Sequence, residues 1–158
     1  MLAFSCRSEK QKARLGSTLC EVAPCLDDIV TIIGLRFYHR TAAANAIIRD
    51  GFRDNNGLAG AHYTGLKGVF LSDIPLDCNE GTKGDQLLVV TLPLACAFDI
   101  SEYELIGEDG PLYREWCVPA DIINRDGTVR LLNEEEAEEA EEEGSKEKWR
   151  RYKLVPGG

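Results

Sequence analysis

Two side chains in this sequence have the type and setting to do chemistry. Glu115 stands in Leu112-Tyr113-Arg114-Glu115-Trp116-Cys117-Val118, where strand alternation puts Tyr113, Glu115 and Cys117 on one face and Leu112, Arg114, Trp116 and Val118 on the other. Both faces are partly apolar, so the carboxylate is either paired with a cation or lines a cleft. His39 ends the strand-like run 29–38 and is followed at once by a helix signal. It is either a hydrogen-bonded structural residue or a group reaching into a cleft. Phe70, inside the apolar run 68–72, is a core residue by default. In the polar stretch that follows the helix, His62 reads as a surface residue and Tyr63 as a lid or as nothing.

The elements that must position these residues follow from the pattern around them. Thr41 can cap a helix running to Asp50 by accepting from a free N–H of its first turn. Ala42, Ala43, Ala44 and Ala46 favour that helix, and Ala43, Ile47 and Ile48 make one apolar stripe along it. Gly51 supplies a left-handed exit with Phe52 packing beyond it. Residues 53–67 are Gly- and Asn-rich and form a loop long enough to have a function. Residues 68–72 form a strand broken by Asp73-Ile74-Pro75, with a polar connection through Gly84. Residues 86–92 form a central strand, nearly continuous in apolar and β-branched residues. A weaker strand is expected at 97–100. Asp126-Gly127, between 122–125 and 128–132, has the composition of a two-residue hairpin turn. Many strands without a βαβ alternation imply an α+β, mainly antiparallel fold.

Three segments emerge. Residues 1–27 read as a poorly ordered arm, 28–133 as the folded domain, and 134–158 as a Glu-rich acidic segment with a basic tail. The Glu/Ala run lacks an apolar face, so a solvated tail is expected. Of the net charge of −9, eight glutamates fall within 134–143, while 144–158 hold five basic residues and one acid. The body is only mildly acidic and shows no basic stripe, which disfavours a duplex nucleic-acid reader. The six cysteines show no C-x-x-C pair and no metal spacing, so free thiols and no metal are expected. Met1 to Phe4 break into charged residues without an apolar signal region, and no apolar run approaches the roughly 20 residues that span a bilayer. A cytoplasmic protein without membrane contact is expected.

Taken in order, Tyr38-His39-Arg40-Thr41, Asp50-Gly51-Phe52, Lys67-Gly68-Val69-Phe70-Leu71-Ser72-Asp73 and Tyr113-Arg114-Glu115-Trp116 say more than any one alone. The series, spanning about residues 29–132, resembles the NAD-dependent ADP-ribosyltransferase superfamily, in the branch of poly(ADP-ribose) polymerases and diphtheria-type toxins. The resemblance implies split antiparallel β-sheets with one or two short helices. It also implies that NAD is the substrate and that no metal takes part. Cleavage of the nicotinamide–ribose bond builds positive charge on the ribose, which a fixed carboxylate stabilises; by resemblance that is Glu115. His39 would hydrogen-bond the adenine-side ribose with Thr41 in support. The Arg40 backbone would hold the nicotinamide amide, Phe70 would stack on nicotinamide, and Ser72 would belong to the same cofactor-binding set.

The sequence departs from the family in three places. Arg40 stands where the family has glycine, so its side chain must swing clear of the pocket. Phe70 replaces tyrosine, keeping the stacking face without the hydroxyl. The segment after Asp73 offers no aromatic, so a second wall must come from elsewhere, with Tyr63 as the candidate. The activity implied is transfer of one ADP-ribose unit to an unknown protein or nucleic-acid acceptor. NAD hydrolysis and an RNA 2′-phosphotransferase-like reaction, with Arg36, Arg40 and Arg114 recruited to phosphate, are close variants. A non-catalytic nucleotide-binding or interaction protein of the same fold is the rival.

Overall fold

The computed structural model describes residues 34–55, 65–105 and 112–154. The expected arm, the start of the first strand, His62 and Tyr63 lie outside these residues. The described part is α+β. Strands β1 (Leu35–Thr41), β2 (Val69–Ser72), β3 (Gln86–Leu92), β4 (Glu104–Leu105), β5 (Glu115–Val118) and β6 (Thr128–Leu131) form one antiparallel sheet, in the order β4-β5-β2-β1-β3-β6. Helices α1 (Ala44–Asp50), α2 (Ala97–Ser101), α3 (Ala120–Asp126) and α4 (Glu134–Tyr152) cover it. Among the described residues no helix is long and apolar enough to cross a membrane.

Strand alternation separates two cores. Phe37, Leu71, Leu88, Val90, Trp116 and Val118 share one face with Ala44 of α1 and Ile123 of α3. The rings of Phe37 and Trp116 meet edge to face at 4.9 Å. On the other face Tyr38, Leu87, Val89 and Leu132 pack against Ala140 of α4. The β1–β3 register runs unbroken from Leu35↔Leu92 to Thr41↔Gln86. By contrast, β1 and β2 are registered at Tyr38↔Ser72 alone, so the sheet opens between them.

Four expectations are corrected by the structure. Residues 97–100 are helical, within α2, following a 3-10 turn at Leu94–Cys96. Residues 120–126 form α3 rather than the first arm of a hairpin, because Pro119 opens a helix there and Asp54 Oδ1 accepts from the Ala120 N–H at 2.8 Å. Gly127 then ends that helix instead of making a hairpin turn. Helix α1 starts at Ala44 and not at Thr41, which belongs to β1; the Thr41 hydroxyl accepts from the Ala43 N–H one residue before the helix. Its buried residue is accordingly Ala44, with Ile47 partly buried and Ile48 exposed.

The largest correction concerns the acidic run, which is not a solvated tail. It opens the 19-residue α4 with a capping box between Asn133 and Glu136. Ala140 and Gly144 of this helix are buried. The four helices among the described residues, one of them this long, also exceed the one or two short helices expected, and the strands form one sheet rather than split sheets.

Candidate active site

The opening between β1 and β2 is a cleft of about 850 Å3. His39, Arg40 and Thr41 line it from β1, Phe70 and Ser72 from β2, and Glu115 from β5. The six residues singled out in the sequence among those described are therefore brought together; Tyr63 lies outside the described residues. Registered pairing puts Ser72 and Glu115 on the α4 face, with Tyr38. His39, alternating with Tyr38, belongs to the opposite face. One cleft takes in both because the two strands diverge beyond Tyr38↔Ser72.

His39 bridges that divergence. Its Nδ1 lies 2.9 Å from the Phe70 carbonyl oxygen. A carbonyl accepts and does not donate, so Nδ1 carries the proton and the neutral ring keeps Nε2 as an acceptor. The ring also meets Phe52 edge-on at 5.3 Å. Burial holds its pKa below the ordinary 6.5, the bond to Phe70 opposing. His39 is thus structural toward Phe70, with the Nε2 lone pair unpartnered among the described residues.

Arg40 answers the question its position raised. Its Nε donates to the Leu76 carbonyl at 2.7 Å, and the guanidinium pairs with Glu141 of α4. The side chain anchors the helix. Glu115, in contrast, forms no ion pair among the described residues, although Arg114 beside it pairs bidentately with Glu104. Burial, and then the nearby charge of Glu80, push its carboxyl above the usual range. Among the described residues Glu115 is thus a half-buried carboxylate without a counter-ion, opening on a cleft.

Several lining residues were missed in the sequence. Glu80 reaches the cleft from a 3-10 turn, Cys78–Glu80, whose Asp77 and Glu80 form a capping box. The Asp-x-x-Glu spacing was the visible signal, within a stretch read only as a polar connection. Arg53 and Lys83 line the cleft too, and neither has an ion-pair partner among the described residues. Gly84 lets this segment pack down on the end of β1. Its φ is +106°, and a Cβ there would fall 2.2 Å from the Thr41 carbonyl carbon and the Ala42 nitrogen.

No protein-family model, no curated protein and no solved structure matches the chain. Function has to be argued from the cleft itself.

Proposed function

We propose that the chain is an ADP-ribosyltransferase-like enzyme that cleaves NAD at the nicotinamide–ribose bond and passes ADP-ribose to an acceptor. The observation that carries this reading is the convergence of His39, Phe70 and Glu115, from three different strands, on one cleft. Its volume falls within the roughly 300–1,000 Å3 of small-molecule and cofactor sites. The lining chemistry suits a dinucleotide. Arg53 and Lys83, without an ion-pair partner among the described residues, offer positive charge to a diphosphate, and His39 offers a ring nitrogen to a ribose hydroxyl. Phe70 and Tyr113 offer aromatic faces, so Tyr113 can replace the wall that Tyr63 was expected to give.

In this reading Glu115 supplies fixed negative charge where the ribose becomes positive. Bond cleavage releases nicotinamide, and the ribose carbon bonds to the acceptor nucleophile, which gives up its proton. The Arg40 guanidinium is held in place by Leu76 and by Glu141 of α4. The test is release of nicotinamide from labelled NAD. Glu115→Gln is expected to keep NAD binding within a few-fold while slowing release by about 100-fold or more. Absence of release from the unaltered protein, or release untouched by Glu115→Gln, overturns the reading. NAD binding without release would select the non-catalytic alternative.

A further inference from the structure

Glu115 shares the cleft with Glu80, which arrives from the 3-10 turn rather than from the sheet. Both Glu80 oxygens are held. Oε2 accepts from the Asp77 N–H at 2.9 Å, and Oε1 accepts from the Lys148 ammonium of α4. The pair is well covered, with 18% of the Glu80 side chain and 24% of Lys148 exposed. A carboxylate tethered at both oxygens is badly placed to take a proton from a nucleophile. What it contributes is a fixed charge. Two carboxylates facing one cleft make the second harder to ionise, and a cation bound to the first relieves that.

Among the cations near Glu80 and Glu115, Lys83 and Arg53 have no ion-pair partner in the described residues, and the others are matched. Arg114 pairs with Glu104 of β4, Arg151 of α4 with Asp73 and Glu147, and Arg40 with Glu141. Lys148 Nζ also lies 5.8 Å from the centre of the Tyr113 ring. One lysine of the C-terminal helix therefore contacts two residues that line the cleft with Glu115.

We propose that Glu80 is a positioning residue of the cleft through which α4, by way of Lys148, controls the charge state of Glu115. The inference rests on the reading of Glu115 as the working carboxylate. With α4 docked, Lys148 offsets Glu80 and Glu115 ionises more readily. With α4 displaced, the bare charge of Glu80 faces Glu115 and favours its protonated form, which cannot stabilise a cationic ribose.

The test follows the Glu115 carboxyl directly, by 13C NMR titration of the full chain, with the signal assigned by its loss in Glu115→Gln. Glu80→Gln keeps an oxygen for the Asp77 N–H and is expected to lower the Glu115 midpoint. Lys148→Met keeps the packing stem and is expected to raise it by a similar amount, while Lys148→Arg leaves it in place. The double variant Glu80→Gln/Lys148→Met should fall near Glu80→Gln, because Lys148 acts mainly through Glu80. The acid limb of nicotinamide release should move with the midpoints.

Midpoints unmoved in both single variants, with only thermal stability altered, would reduce Glu80 to a structural cap and overturn the proposal. A rate lowered equally at every pH would do the same. Midpoints that move as expected in a protein that releases no nicotinamide would uphold the electrostatic link and overturn the enzymatic reading instead.

Discussion

At the scale of single residues, His39 and Glu115 in the cleft depart from ordinary behaviour in opposite senses. Burial, reinforced by Glu80, raises the pKa of Glu115, so its ionised form costs folding free energy. The stability tied to its proton is present below the ordinary 4.5 and is lost as pH rises through the higher folded value. Glu115→Gln should therefore melt above the unaltered protein at pH 7, by a margin that shrinks toward pH 4, even as activity collapses. Thermal melts at the two pH values measure this, and a variant that melts lower at pH 7 would make Glu115 a structural partner. His39 runs the other way. Burial lowers its pKa, so its contribution is present above the ordinary 6.5 and is lost as pH falls through the depressed folded value. Replacing it with glutamine should flatten that acid loss. Arg40→Met removes the bonds to Leu76 and Glu141 but keeps the stem. A stability loss of about 1–2 kcal/mol is expected, with nicotinamide release kept within a few-fold. A complete loss of release with the fold intact would put the guanidinium in the cleft chemistry after all.

At the scale of elements, what could be read in the sequence was what depended on near neighbours. Strand β3 matches the apolar run 86–92 from end to end, because a buried central strand announces itself in seven consecutive residues. His39, Phe70 and Glu115 were legible for a related reason, since each sits within or directly after a recognisable run. Helix α3 was hidden because long-range bonds define it. Asp54 caps it from 66 residues away, and Asn124 grips Phe52 from 72 away, accepting from its N–H at 2.8 Å and donating to its carbonyl at 2.9 Å. The Asp-Gly pair that suggests a hairpin only terminates this helix, although Ala120 and Ile123, buried three apart, carried a helical spacing. Asn124 thus stands in for a strand neighbour and ties the exit of α1 to α3, next to Gly51 at φ +81°. Asn124→Ala should cost about 1–2 kcal/mol, since the Phe52 amide and carbonyl both lose a partner. A Tm lowered by several degrees with a cleft still able to bind NAD is the expected result. Glu80, Arg53 and Lys83 escaped the sequence reading because they come to the cleft from connections, where no periodicity points inward.

At the scale of the whole molecule, the unusual charge distribution resolves into one helix laid across the sheet. Small residues Ala137, Ala140 and Gly144, at spacings of three and four, form one seam, the alanines against the sheet and Gly144 against Ile74 and Pro75. That stripe was present in the Glu/Ala run, but a stripe without large apolar side chains does not read as a buried face. With so little apolar surface of its own, α4 depends on ion pairs to four separate parts of the fold: Arg40, Glu80, Arg130 and Asp73, paired with Glu141, Lys148, Glu136 and Arg151. Most of these are partly exposed, and such pairs contribute roughly 0–1 kcal/mol each and weaken as salt rises. The sheet beneath, by contrast, holds the large buried side chains Leu87, Leu88 and Val90. Helix α4 should therefore open as a local unit before the sheet unfolds. Hydrogen exchange followed by mass spectrometry should find amides of 137–151 exchanging well ahead of those of 86–92. Raising NaCl from low to near molar concentration should widen the gap, speeding α4 while leaving β3 almost unchanged. Exchange of the two segments together, indifferent to salt, would instead mean that the seam against Tyr38, Leu87 and Val89 holds the helix as part of the core. In that case α4 could not move independently enough to act as a control element for Glu115.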